Sequence, residues 1–559
     1  MSKIFNRIND LTFNKYLFLL IIIVYLPIFI FGYFIQDDIG IINSLPNKSF
    51  FDAANYICFV NNNRPFSCIY HAAITRLPSV FQFYFFLALS FYILFILNII
   101  KIFDFIIDSI YLKKLYAIFL IFPFFSYTTL YSPAMQSMGV FSLLLWSISL
   151  FFLKKFIKDN FKINLFLSYF FLLLMFLLYE SPLPLLAVSI FFPLYFNNKI
   201  KLFYFNIFII FLIVIFVVSI QKFLIPEIYD IDLSRIKLNF YDYKKIIFIL
   251  FVNLVLTLNI FFYSIEIFLR IVVDSFGDLN YLLLTQSFVI LIIFHNIIYK
   301  EKSHKKYKNN KFLIVSSLIF LLLIFLNALM HALADTGLDF IKYNNRALVS
   351  LSFIFAFFCI IICKFVSFNK NLLFTTVFTF LFSIFVVNFF YFQSNLIAER
   401  LHATQFNKKF QNFILDKKLK SVDYILTTKP IFIKDLLSYN TLDYFNVLNS
   451  NKNILEGSKP TIYLTEQKFC NKSYFNEYLK EPFLTNYNIN LFVFNKYPND
   501  LVESYKNISF VNFEKLLNSH IYCEYQISKK ETYLKKNVYI DNRYKGFFLN
   551  FLTEIYYKL

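Results

Sequence analysis

Charge is scarce in this chain. Asp, Glu, Lys and Arg make up 16% of its 559 residues, against about 25% in an ordinary soluble domain. Glycine is rarer still, with 7 copies, and there is 1 tryptophan. No Gly-rich phosphate loop is present, and no CxxC pair, HExxH motif or internal repeat. These absences leave no motif for a nucleotide phosphate, a paired-cysteine metal or redox centre, a zincin-type protease or a solenoid. What fills the chain instead is apolar: 59% hydrophobic and 22% aromatic residues, with a mean hydropathy of +0.61. Phe, Ile, Tyr, Asn and Lys are favoured over Gly, Ala, Pro and Arg, a bias that an AT-rich genome imposes. Single aromatic residues therefore carry little weight by themselves.

The net charge is +20. A nucleic-acid partner is one explanation of such a charge. The distribution argues against it, because outside the C-terminal third most of the charge sits in short loops between apolar runs. The positive-inside rule accounts for that pattern, with the lipid bilayer as the partner. A membrane span needs about 20 apolar residues. Candidates are 16–34, 80–100, 115–131, 136–153, 163–179, 183–197, 202–221, 246–269, 282–299, 312–331, 347–364 and 373–393. The expectation is an all-α polytopic membrane domain over residues 1–393 with 11–12 membrane segments. No small-residue cleavage site follows the first run, so 16–34 reads as a retained span.

Basic segments at Lys3/Arg7/Lys15, Lys113/Lys114, Lys154/Lys155/Lys158/Lys162 and Lys300 to Lys311 mark the cytoplasmic side. Plain alternation of spans would put the last of these outside, so one segment between 202 and 299 is re-entrant or is not a span. The run 246–269, with Asn253, Asn259 and Glu266, is the weakest. The loop 35–79 is then outside. So are the turns near Tyr127–Gln136 and Tyr179–Pro182, the stretches 222–245 and 332–346, and everything after about residue 394.

Residues 394–559 change character, with frequent charges and short apolar runs. The segment 399–420 reads as an amphipathic helix. VDYILTT, TIYLTE, INLFVF and ISFVNF read as short strands. A soluble α/β domain of roughly 165 residues is expected there, large enough for its own core. Cysteines fall in pairs. Cys58 and Cys68 share the first outside loop, and Cys470 and Cys523 share the C-terminal region. Each pair is either a disulfide in an oxidising compartment or two isolated thiols. Cys359 and Cys363 lie in a span and read as packing residues.

The stretch FIQDDIGIINS closes the first apolar run and carries Asp37 and Asp38. Ionised groups at a membrane exit are costly and tend to be functional; a helix cap is the alternative. The rest of that loop contributes Asp52, Arg64, His71 and Arg76. Arginine forks match phosphate oxygens. A carboxylate beside a second carboxylate has its proton affinity raised, which suits a general base. Together these groups fit a lipid-phosphate-linked sugar that enters sideways from the bilayer and gives its sugar to a hydroxyl. An acidic pair also suits a divalent metal, but no complete ligand set is visible and no other cofactor is indicated.

Further along, Glu180 either faces the same cavity or caps the turn before Pro182. Arg346 either grips the donor phosphate or snorkels to the interface. His71 either touches substrate or packs against the loop and headgroups. The segment 225–245 alternates apolar, aromatic and charged residues, as an interfacial helix does.

The QDD triplet, followed after about 25 residues by NNNRPFSCIYHAAITRL, resembles the signature of the GtrII-type O-antigen glucosyltransferases, bacterial membrane enzymes of the GT-C class. Asp37 and Asp38 match that family's DD pair, and Arg64–Pro65 match its RP. Ser67 matches the small polar residue that follows, and the helix after it leads into the second span. Asn63 stands where the family has Gly, and Ile41 and Ile42 stand where many members have Arg. The resemblance covers mainly residues 16–100.

It implies an inverting hexosyltransferase of the bacterial inner membrane. The donor would be a polyprenyl-phosphate-linked sugar and the acceptor a glycan of the O-antigen or lipopolysaccharide kind on the periplasmic face. Asp37 and Asp38 would be catalytic, and Arg64, Arg76, Glu180, Arg346 and His71 would contact substrate. Two other functions compete. A lipid-linked glycan flippase would line several spans with polar groups and often shows repeat symmetry. An O-antigen polymerase or ligase would place its large loop late, between spans.

Overall fold

The computed structural model describes residues 2–31, 49–60, 65–74, 80–107, 109–121, 133–179, 182–196, 199–224 and 281–300, scattered helical positions between 247 and 393, and four strand segments between 423 and 505. The chain divides into two compact units. One comprises residues 1–30, 48–394 and 542–559; the other comprises 31–47 and 395–541. The boundary near 394 matches the change in composition. The grouping of 542–559 with the first unit follows no chain boundary; its sequence, NRYKGFFLNFLTEIYYKL, becomes apolar and aromatic from Gly546 on.

The described part of the first unit is helical. Helix α1 spans Ser2–Phe31, α2 Phe50–Val60, α3 Pro65–Ile74, α4 Val80–Ile102, α5 Ile110–Ile121, α6 Pro133–Asp159 and α7 Lys162–Leu178. Local signals set several ends. The Ser49 hydroxyl accepts the Asp52 amide at 3.1 Å and donates to the Asp52 carboxylate at 2.5 Å, a reciprocal cap on α2. Proline opens α3 and α6, where its missing N–H costs nothing. Asn160 follows α6 at φ 54°, a left-handed conformation that asparagine tolerates. It turns the chain straight into α7.

Helices α4 and α6 run parallel along their length. Phe91 stacks on Phe141 at 4.5 Å, and the Asn98 amide reaches the Ser147 hydroxyl at 3.4 Å. At the Ile102 end, the Lys154 ammonium donates to the Lys101 carbonyl and the Asp104 carboxylate, each at 2.7 Å. α7 folds back along α6, with Ser149 and Ser168 hydroxyls 3.2 Å apart.

Beyond α7, the expected span 183–197 is broken into three pieces. These are a 3₁₀ turn Leu183–Leu185, α8 over Leu186–Phe191, and a second 3₁₀ turn Phe192–Tyr195. The pieces follow one another without a gap, as one short apolar helical run Leu183–Tyr195; Pro193 withholds an N–H that a continuous α-helix would use, whereas Pro184 sits in the first turn, where that N–H has no acceptor. Of the expected span 115–131, residues 115–121 belong to α5; residues 122–131 lie outside the described residues. The hydroxyls of Tyr92 and Tyr25 donate to the Leu120 and Ile121 carbonyls of α5.

Helix α9 spans Ile200–Ser219 and passes into a π turn, Ile220–Leu224; α10 spans Tyr281–Lys300. Among the described residues, three helical stretches are long and apolar enough to cross a membrane: Phe83–Ile102, Ser137–Asp159 and Ile200–Ser219. The last exposes large apolar side chains, among them Phe208, Phe211, Ile215 and Phe216. Such a face suits lipid contact. Shorter apolar helices at Thr12–Leu26, Lys162–Leu178, Ser287–Ile297 and Thr379–Phe390 overlap other expected spans. The expected spans 246–269, 312–331 and 347–364 lie largely outside the described residues.

Trp146 is fully buried between these elements, against Phe95 at 6.4 Å and Phe353 at 5.0 Å, and its indole N–H donates to the Ser189 hydroxyl at 3.1 Å. Asn206 is the buried polar residue of α9. Its amide donates to the Ser189 carbonyl at 3.2 Å and its carbonyl accepts the Tyr169 hydroxyl. Polar groups inside a membrane domain need such partners.

In the second unit, β1 is Asp423–Thr427, β2 Thr461–Tyr463, β3 Asn488–Phe494 and β4 Leu501–Tyr505. They form one sheet in the order β2-β1-β3-β4. β1 pairs in parallel with both β2 and β3, and β3 pairs antiparallel with β4. The first three strands fall on three expected segments. The fourth is LVESY, ahead of the expected ISFVNF at 508–513, which lies outside the described residues, as does 399–420.

Candidate functional site

Helix α3 reads PFSCIYHAAI, and its buried residues are Ser67, Cys68, His71, Ala72 and Ile74. That spacing is one helical face. Most of that face is small or apolar, but Ser67 and His71, four apart, put two polar side chains on it. His71 is fully buried. Its Nδ1 lies 2.9 Å from the Tyr84 hydroxyl of α4. The next residue round, Tyr70, donates its hydroxyl to Ser137 of α6 at 2.8 Å. Burial pushes the Tyr70 hydroxyl well above its ordinary range, with the Ser137 hydrogen bond as a smaller opposing influence. It therefore stays protonated and remains a donor.

Aromatic edges complete the seat. Tyr70 and His71 ring centres are 5.2 Å apart, His71 and Tyr84 5.8 Å. Phe66 and Tyr70 also both lie against Phe141, at 6.2 and 5.9 Å. α3 also packs on α2 and α7. Where α7 ends, the Tyr179 ring lies 3.8 Å from where a Cβ on Gly139 would be. Cys68 is disulfide-bonded. Its expected partner, Cys58, has a side chain outside the described residues. Cys359 is a free, buried thiol, in keeping with a packing role.

Of the expected site residues, His71 is the one the structure describes. Asp37, Asp38, Arg64, Arg76, Glu180 and Arg346 lie outside the described residues. Chain connectivity still relates three of them to the site. Arg64 immediately precedes the first residue of α3, Arg76 follows its last residue by two, and Glu180 follows Tyr179. Asp52, in the same loop, is engaged in capping α2. Among the described residues, no group of three or more His, Cys, Asp or Glu side chains could hold a metal ion.

Sequence reading passed over Tyr84, Tyr70 and Ser137. Nothing local distinguishes Tyr84 from the chain's 39 other tyrosines (40 in all); its partner is 13 residues away, and Tyr70 and Ser137 are 67 apart.

The His71–Tyr84 bond makes a specific prediction. Tyr84→Phe costs about 1–3 kcal/mol, because it removes one partner of a buried pair. His71→Asn, which places a polar atom near the Nδ1 position, keeps more stability than His71→Leu. Unfolding midpoints of the full chain in detergent check both; equal midpoints for the Asn and Leu variants would mean that the bond contributes nothing.

No family model, curated protein or solved structure matches the chain.

Proposed function

We propose that the protein is a membrane glycosyltransferase. It would move a glucosyl or other hexosyl residue from a polyprenyl-phosphate donor to a surface glycan, of the O-antigen or lipopolysaccharide kind, on the periplasmic face of a bacterial inner membrane. The observation that carries this reading is the placement of the RP segment. Arg64–Pro65 opens directly into a helix whose polar residues anchor it to the first turns of α4 and α6. An acidic pair stands at the end of the first apolar run. The disulfide at Cys68 favours an oxidising compartment on that side. Lys101, Lys154, Lys155 and Lys158, at the opposite end of α4 and α6, favour the cytoplasm there.

In this reading, the donor's phosphate sits at headgroup height against Arg64, with Arg76 and Arg346 as further cationic contacts. One carboxylate of Asp37/Asp38 takes the proton of the acceptor hydroxyl. The freed oxygen attacks the anomeric carbon, the bond from that carbon to the phosphate oxygen breaks, and polyprenyl phosphate leaves. The configuration inverts in one step. The other carboxylate tunes the base or holds the acceptor, Glu180 faces the same cavity, and His71, buried against Tyr84, holds α3 in position. Residues 394–559 form a soluble α/β domain on the same side.

Arg64→Ala raises the KM for the lipid-phosphate donor by roughly tenfold or more, the loss of one charged hydrogen bond. Release of polyprenyl phosphate by the purified full chain, with donor concentration varied, measures it. An unchanged KM removes Arg64 from the phosphate; no hexose transfer by the wild type removes the function.

A further inference from the structure

The end of α6, the turn into α7 and the start of α9 carry Lys155, Lys158, Lys162, Lys199 and Lys201 against a single acid, Asp159. The fold brings these segments together. The Lys199 ammonium donates to the Asn160 side-chain carbonyl at 3.4 Å. Further along, the Tyr169 hydroxyl donates to Asn206, and the Tyr169 ring lies 6.3 Å from that of Phe205. Helices α7 and α9 therefore start at the same end and run side by side in the same direction. The 20 residues of α9 reach about 30 Å, the thickness of a hydrocarbon layer. Lysines at its start stand at headgroup height.

A solvated cytoplasmic face accounts for the lysines alone. It does not account for what lies beneath them. On α7, Lys162, Phe166 and Phe170 share one face and are all exposed, and the two rings stack at 6.2 Å. On α9, Lys201, Phe205 and Phe208 share a face in the same way and are also exposed. Tyr169 and Phe205 meet at the seam between the helices, so the two stripes adjoin it. Phe161, between Asn160 and Lys162, is exposed at the level of the lysines. Two ammonium groups, each above an exposed aromatic stripe, match an amphiphile with an anionic head and acyl chains. Any bilayer lipid would cover the rings, but only an anionic head neutralises the lysines.

We propose that the seam between α7 and α9 is a binding site for an anionic phospholipid of the bilayer. Lys162 and Lys201 hold its phosphate, and its acyl chains lie along Phe166 and Phe170 on one side and Phe205 and Phe208 on the other. The site rests on α9 spanning the membrane and on nothing in the glycosyltransferase reading.

The test uses the full chain in maltoside micelles, titrated with dioleoyl phosphatidylglycerol or dioleoyl phosphatidylcholine. Native mass spectrometry counts the bound lipid, and the unfolding midpoint is followed in parallel. The wild type binds phosphatidylglycerol in preference to phosphatidylcholine, and its midpoint rises with it. Lys162→Gln with Lys201→Gln weakens phosphatidylglycerol binding roughly tenfold or more, the loss of two basic residues at an anionic head. Lys162→Arg with Lys201→Arg keeps it. Lys15→Gln with Lys101→Gln, which removes the same charge from exposed positions on α1 and α4, leaves it unchanged. Phe166→Ala with Phe208→Ala weakens binding with every lysine in place. Equal binding of the two lipids, a control pair that loses as much as the site pair, or a Gln or Ala site pair that binds like the wild type overturns the proposal. So does displacement of phosphatidylglycerol by soluble polyglutamate, which would make this surface a docking face for an acidic protein. Transfer activity does not enter this test.

Discussion

Asp37→Asn and Asp38→Asn each abolish hexose transfer while leaving membrane insertion and expression unchanged. Asparagine preserves shape and hydrogen-bonding reach but cannot accept the proton of the acceptor hydroxyl. Loss of a general base lowers turnover by about 10²–10⁴-fold, and loss of its neighbour removes the charge that raises its proton affinity. The larger fall identifies the base. The two are separated by turnover of each variant at saturating donor, with insertion checked by membrane fractionation. Full activity in both variants would move the catalytic site away from the first outside loop.

The largest effect on stability is expected at Trp146. Its ring is fully buried between Phe95 and Phe353, and its N–H is bonded to Ser189. Inside a membrane domain, association of helices draws on packing and hydrogen bonds, since lipid is as apolar as the core. Trp146→Ala loses both at once and leaves a cavity that neighbouring aromatic rings cannot fill without moving. A cost of about 3–5 kcal/mol is expected. It is measured as a fall in the unfolding midpoint of the full chain in detergent, and Trp146→Phe recovers the packing but not the bond to Ser189. A loss below about 1 kcal/mol for the Ala variant would mean that the residue lies at a lipid-facing surface.

How much of this was readable from the chain depended on the range of the interaction. Apolar runs gave α4, α6 and α9 to within a few residues, because long uninterrupted hydropathy has few other outcomes. Runs interrupted by proline misled. The helical run expected at 183–197 turns from α to 3₁₀ at Pro193, and the Leu120 and Ile121 carbonyls of α5 accept hydroxyls of Tyr92 from α4 and Tyr25 from α1. Such breaks are tolerated because partners distant in sequence satisfy the freed backbone groups, and no local pattern announces those partners. Strand content in the C-terminal region was legible in three segments. β4, LVESY, was passed over because it carries charge and polarity typical of an edge strand, and ISFVNF lies outside the described residues.

At the candidate site, the RP segment pointed to the helix that follows it, α3; that Ser67 and His71 share its buried face came from the structure. What those groups meet was not legible. His71 touches Tyr84 through a helix packing that hydropathy alone does not specify, in a chain where tyrosine is too common for any one copy to stand out.

The central claim is hexose transfer to a surface glycan, and the mass of that glycan tests it most directly. Mass spectrometry of the surface glycan is compared between cells with the protein, cells without it, and cells carrying only Asp37→Asn. The account predicts one hexose per acceptor unit missing in the last two, with chain length unchanged. A truncated or absent glycan would point to a polymerase or flippase, and an unchanged mass in cells lacking the protein would contradict the account.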